Sequence, residues 1–132
     1  VVFYHGGGFC VGSIATHAGL AAEIARGLDL PVVSVEYRLA PEHPWPAAPD
    51  DAEAAARWVA ANGAALGRDV TGLILCGDSA GGNLAAVVAL ACWLAWRERH
   101  RDRLSAWTTM VLVVSGPTAF FMSASKSLAT ES

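Results

Sequence analysis

Lysine is almost missing from this chain: Lys126 is the only one, and charged residues of every kind make up 16% of its 132 residues. With a formal net charge of −3 there is no basic field to attract nucleic acid, and none is expected as a partner. The late arginines at 97, 99, 101 and 103 are interrupted by Glu98 and Asp102, the pattern of a solvated helix end. Cysteine is scarce too. Cys10, Cys76 and Cys92 form an odd set without C-x-x-C spacing, which argues against a disulfide framework and against a zinc site. Cys76 and Cys92 lie in apolar runs and read as small buried hydrophobes. The longest apolar run extends only from Leu84 to Trp96, short of the roughly 20 residues that cross a membrane. No basic segment precedes the opening Val1-Val2-Phe3-Tyr4, so it does not read as a signal peptide. A cytoplasmic, reducing setting without membrane contact is the expectation. A start inside an apolar run also suggests sequence upstream.

What is abundant is apolar: 54% of residues are hydrophobic, enough for a sizeable core. Short β-like runs alternate with helical ones. Val1–Tyr4 reads as a strand, followed by a glycine-rich loop to Ser13. Thr16 is the expected N-cap of a helix over His17–Leu28, where Leu20, Ile24 and Leu28 recur every four residues. Val32–Tyr37 reads as a second strand. Pro41, Pro44, Pro46 and Pro49 then enforce an irregular loop. Asp50 is expected to cap a helix to about Asn62, with Ala52, Ala55, Ala56 and Val59 on one face and Gly63 as its stop. Thr71–Cys76 and Trp107–Ser115 read as strands on either side of a helix from Ser79 to about Arg99. This alternation implies an α/β fold, a mostly parallel sheet with right-handed crossovers and helices on both faces.

One junction carries chemistry. The strand ending at Cys76 runs into Gly77-Asp78-Ser79-Ala80-Gly81-Gly82, which opens a long apolar helix. This is G-x-S-x-G in a strand–turn–helix setting, where a serine in a strained conformation projects its hydroxyl from the sheet. Glycines at 77 and 81 remove Cβ atoms that would collide in so tight a turn. The helix start after Ser79 aims amides and positive dipole at the same place. A Rossmann reading fails because Ser79 stands where the second glycine belongs, and no Walker lysine exists.

A second element lies upstream. His5-Gly6-Gly7-Gly8-Phe9 follows the first strand. Three consecutive glycines add no packing and cost conformational entropy, and they make sense where backbone N–H groups must approach a ligand closely. This is the HGGG-type element that supplies amides to an oxyanion hole.

HGGGF at 5–9, YRLAPEHPWPA at 37–47 and GDSAGGNLA at 77–85 together resemble the hormone-sensitive lipase family, also called bacterial family IV esterases, in its GDSAG subgroup. The resemblance covers about residues 1–96. It implies a partial α/β-hydrolase fold in one domain over 1–132, and hydrolysis of short-chain acyl esters without metal or organic cofactor. Residue by residue, Ser79 matches the nucleophile, and the backbone N–H groups of Gly7, Gly8 and Ala80 match the oxyanion donors. His5 matches the residue that orients the glycine loop, with Gly6, Gly77 and Gly81 completing the motifs. Asp78 matches a residue that fixes the elbow, and Tyr37, Arg38, Pro41 and Glu42 match a loop bracing the site from below.

The pattern departs from the family beyond that point. The fold's triad order is Ser, then Asp or Glu, then His. After Ser79 the acids are Glu98, Asp102 and Glu131, and the only histidine is His100. A continuous helix would carry His100 about 30 Å from Ser79. Residues 97–132 therefore read as divergent, in a piece of a longer hydrolase without its acid and base. A non-catalytic small-molecule-binding protein of the same fold, as plant gibberellin receptors are, is the alternative. A purely structural α/β domain would leave the glycine loop unexplained. The sequence leaves the oligomeric state open.

Overall fold

β-branched and aromatic residues open the chain as strand β1 (Val2–Tyr4), and the same preference recurs in β2 (Val33–Val35). Three helices, α1 (Ile14–Leu28), α2 (Ala47–Ala61) and α3 (Ala80–Arg99), alternate with these and with β3 (Ile74–Asp78), β4 (Met110–Ser115) and β5 (Thr118–Ser123). The computed structural model describes residues 1–99, 110–115 and 118–123. His100 and the end of the chain after Ser123 lie outside the described residues.

The strands form one sheet in the order β2-β1-β3-β4-β5. The first four are parallel, with Val2 opposite both Val33 and Leu75, Tyr4 opposite Gly77, and Asp78 opposite Val114. β5 runs antiparallel to β4, from Thr118 opposite Ser115 to Ser123 opposite Met110. The expected parallel sheet is thus present, and a strand stands where the sequence offered no assignment.

Alternation along β1 sorts the helices onto two faces. The Tyr4 hydroxyl donates to the Ala52 carbonyl of α2 at 2.9 Å. The Phe3 ring instead lies 6.4 Å from the His17 ring of α1. The core fills the α2/α3 side: Val2, Tyr4 and Leu75 pack with Ala52, Ala56 and Val59 of α2 and with Leu84, Ala85 and Val88 of α3. Alanines on α2 let that helix lie close to the sheet, as its pattern predicts. Full burial of side chains such as Leu84 and Val88 contributes roughly 1.5–3 kcal/mol each. Helix α1, on the other face, has no fully buried residue.

Both expected N-caps move. Ser13, not Thr16, caps α1: its hydroxyl accepts from the Thr16 amide at 3.2 Å while Thr16 Oγ1 accepts from the Ser13 amide at 2.9 Å. Two hydroxyl residues three apart are interchangeable in a pattern, and only this reciprocal bonding separates cap from third helical residue. Helix α2 starts at Ala47 after Pro46, and the Asp50 amide already donates to the Pro46 carbonyl at 3.0 Å. Gly63 follows α2 as predicted, but opens a short 3-10 turn to Leu66. Among the described residues no helix is long and apolar enough to cross a membrane.

Candidate active site

Ser79 alone separates β3 from α3 and sits in the left-handed region at φ 49°. Its side chain is exposed at the carboxyl end of the sheet. A non-glycine residue in that conformation costs roughly 1–2 kcal/mol. The turn is tight enough that its glycines are obligatory. A Cβ on Gly77 would come within 2.5 Å of the Gly81 and Tyr4 carbonyl oxygens, and one on Gly81 would overlap the Tyr4 carbonyl itself.

The glycine loop leaves β1 beside this corner, because Tyr4 pairs with Gly77 in adjacent parallel strands. A Cβ on Gly6 would fall on the Asp78 carboxylate, so loop and elbow touch. Gly7 (φ 128°), Gly8 (φ 60°) and Phe9 (φ 65°) then turn through positive φ, and the Gly7 carbonyl accepts from the Cys10 and Val11 amides at 3.1 and 3.0 Å. No acceptor among the described residues takes the Gly7 or Gly8 N–H. Ala80, the first residue of α3, likewise has no acceptor for its amide within the helix.

Beneath the loop lies a polar cluster. His5 is 1% exposed, and its Nδ1 donates to the Gly6 carbonyl at 2.9 Å, which assigns the Nδ1 proton. The Tyr37 ring stacks on His5 at 4.3 Å between centroids, and the Tyr37 hydroxyl donates to the His5 carbonyl at 2.6 Å. Burial first, then the charges of Asp78 and Glu36, push the Tyr37 hydroxyl up to about 12. Gly12, at φ 97°, presses on the same histidine: a Cβ there would stand 2.6 Å from Nδ1. Glu36 joins two elements, accepting from the Ile14 amide at the start of α1 at 2.8 Å and lying 3.9 Å from His5 Nε2. On the far side, His17 Nε2 is 3.6 Å from Asp78 Oδ1.

The proline-rich loop is anchored below. Arg38 binds Asp51 with Nε and Nη2, each at 2.8 Å, and its backbone amide adds a third bond at 2.9 Å. Those contacts hold the Asp51 carboxyl below its ordinary range, against the opposing effect of partial burial. The Ala40 amide donates to the Phe9 carbonyl at 2.8 Å, tying this loop to the glycine loop.

The structure therefore brings together the residues of the two glycine motifs: Ser79 and Ala80 at the corner, Gly77, Asp78 and Gly81 around it, and His5, Gly6, Gly7 and Gly8 alongside. It adds Gly12, His17 and Glu36. Only the glycine at 12 had a local signal, being one more glycine in the loop. His17 enters through α1, whose path over the sheet no spacing specifies, and Glu36 through the strand register that sets Val35 opposite Tyr4. No group of three His, Cys, Asp or Glu residues that could hold a metal occurs among the described residues.

The sequence profile of the α/β-hydrolase fold matches residues 1–129. The chain belongs to that family. Within it, esterase LipI of Mycobacterium tuberculosis is 55% identical over 89 residues, covering 67% of this chain and 28% of LipI. A hormone-sensitive lipase of Ictidomys tridecemlineatus is 41% identical over 90 residues, 68% of this chain and 12% of that lipase. The structure of an esterase from Pyrobaculum calidifontis, 52% identical, superposes with a TM-score of 0.70 over 72% of this chain and 31% of its own. The resemblance to the hormone-sensitive lipase branch of α/β-hydrolases is borne out. The chain spans less than a third of the length of these relatives.

Proposed function

We propose that this α/β-hydrolase chain carries the nucleophile and oxyanion hole of a carboxylic ester hydrolase acting on short-chain acyl esters. The observation that carries the reading is the exposed Ser79 at φ 49°, held on a glycine-bounded corner against the Gly6–Gly8 loop. In this reading Ser79 Oγ attacks the acyl carbon, and the carbonyl π electrons move onto oxygen. That oxyanion meets the N–H groups of Gly7, Gly8 and Ala80 and the positive end of α3. Collapse breaks the bond to the alcohol oxygen, leaving an acyl-serine that water then hydrolyses. No cofactor is required.

The serine proton must pass through a base to the leaving alcohol. By the end of α3 the chain is about 30 Å from Ser79, and His100 is the only histidine after it. The 132-residue chain by itself is therefore proposed to turn over slowly. Without a base, oxyanion hole and binding sustain roughly 10³-fold over water.

The test is a fluorophosphonate probe followed by peptide mapping, which should find the label on Ser79 and nowhere in Ser79→Ala. Turnover of a p-nitrophenyl ester should stay far below ordinary esterase rates. Tight binding of a small organic acid with no labelling would instead establish the non-catalytic reading, favoured by the single late histidine.

A further inference from the structure

We infer that His17 is a positioning residue for the elbow: its Nε2–H holds the Asp78 carboxylate, which in turn sets Ser79 against the glycine loop. Asp78 Oδ1 is a buried acceptor with no hydrogen-bond partner among the described residues, and His17 Nε2 lies 3.6 Å from it. A buried carboxylate oxygen left without a donor is costly.

The tautomer follows from the other ring nitrogen. His17 Nδ1 is 2.8 Å from Thr16 Oγ1. If Thr16 donates to Nδ1, the neutral ring carries its proton on Nε2. If Thr16 donates to the Ser13 carbonyl, 2.9 Å away, Nδ1 must donate to Thr16. A neutral ring would then turn a bare Nε2 lone pair toward a carboxylate, setting two acceptors face to face. The arrangement that pairs a donor with an acceptor at both ring nitrogens puts a proton on Nε2, facing Asp78. The pair is long for a hydrogen bond and suited to an electrostatic clamp.

The clamp has two jaws. On the opposite side the Asp78 carboxylate abuts Gly6, where a side chain would collide with it. His5 completes the packing, its ring 5.5 Å from that of His17. Asp78 is thus fixed between α1 and the glycine loop, and Ser79 is the next residue. Helix α1 buries no side chain fully, and this contact ties it to the elbow.

The pairing can be read without any reactive serine. In ¹H–¹⁵N spectra of the 132-residue chain, His17 Nε2 should be protonated, and Asp78→Ala should shift the His17 ring nitrogens while leaving those of His43 in place. An unprotonated Nε2, or His17 signals indifferent to Asp78→Ala, overturns the inference. A second arm rests on the proposed nucleophile. Phosphonylation of Ser79 should slow roughly tenfold in His17→Ala, as for lost orientation away from the reacting atoms. His17→Gln, whose amide nitrogen can replace Nε2, should restore most of that rate. Slowing in His17→Ala with no recovery in His17→Gln, when both variants melt like the parent, would likewise overturn it. Failure of every variant and the parent to label sinks the esterase reading alone, and the spectra still decide the pairing.

Discussion

Gly81 lies directly beneath the carbonyl group of Tyr4, so close that a Cβ at 81 would overlap the oxygen. The neighbouring atoms are backbone and cannot swing away. Gly81→Ala should lower stability by about 1–3 kcal/mol or more, the cost of overpacking. Gly19, in the interior of α1, has nothing within 4 Å of where a methyl group would stand, and Gly19→Ala should stabilise by up to about 1 kcal/mol. Urea titrations of both variants give the comparison, and equal effects of the same sign would refute the tight-corner account.

Ser79 is held in a conformation that only glycine adopts without strain. Ser79→Gly should therefore be more stable than Ser79→Ala by roughly 1 kcal/mol, despite the greater flexibility of glycine in the unfolded chain. Thermal melts of the two variants decide it. An alanine variant at least as stable as the glycine variant would mean that the corner is relaxed.

At alkaline pH the fold should weaken as buried acids are forced to ionise. Burial raises the Cys76 thiol from 9.0 to about 11, and Tyr37 from 10.0 to about 12. In that range the folded state keeps protons that the unfolded chain has released. Stability is therefore intact below pH 9.0 and falls as pH rises toward these folded values. Cys76→Val should flatten the earlier part of that fall and leave the part due to Tyr37. A parent whose urea midpoint is constant up to pH 11 would contradict this.

At acid pH the brace beneath the site should give way. Asp51 lies below its ordinary 3.8 because Arg38 hydrogen-bonds its carboxylate. A lowered carboxyl contributes stability above its ordinary value and loses it as pH falls through the lowered one. Asp51→Asn should be less stable than the parent near neutrality, with a shallower acid dependence. The difference should be modest and shrink with added salt, since the pair is partly exposed. An unchanged acid limb in the variant would remove the Arg38–Asp51 contact from the account.

The sequence by itself determined the parts of this protein whose chemistry is local. A serine between glycines at the junction of a strand and an apolar helix can adopt few conformations, so the elbow at 77–81 is legible from residue types alone. The same holds for Gly6–Gly8, whose entropy cost has no structural return unless the backbone is needed bare. The parallel order of the first four strands follows from alternation with helices, because a parallel connection needs a crossover.

Tertiary structure decided everything that joins residues distant along the chain. Thr16 and Ser13 are equal candidates for a cap until reciprocal hydrogen bonds distinguish them. β5 exists through its pairing with β4, a register that no pattern in 118–123 encodes. Glu36 reaches His5 because β2 pairs with β1 in a register that sets Val35 opposite Tyr4, and His17 reaches Asp78 because α1 crosses one face of the sheet and brings its first turn to the elbow. Short-range preferences choose elements, but side-chain partners across a sheet depend on where the chain crosses over, and that is set by packing of the whole.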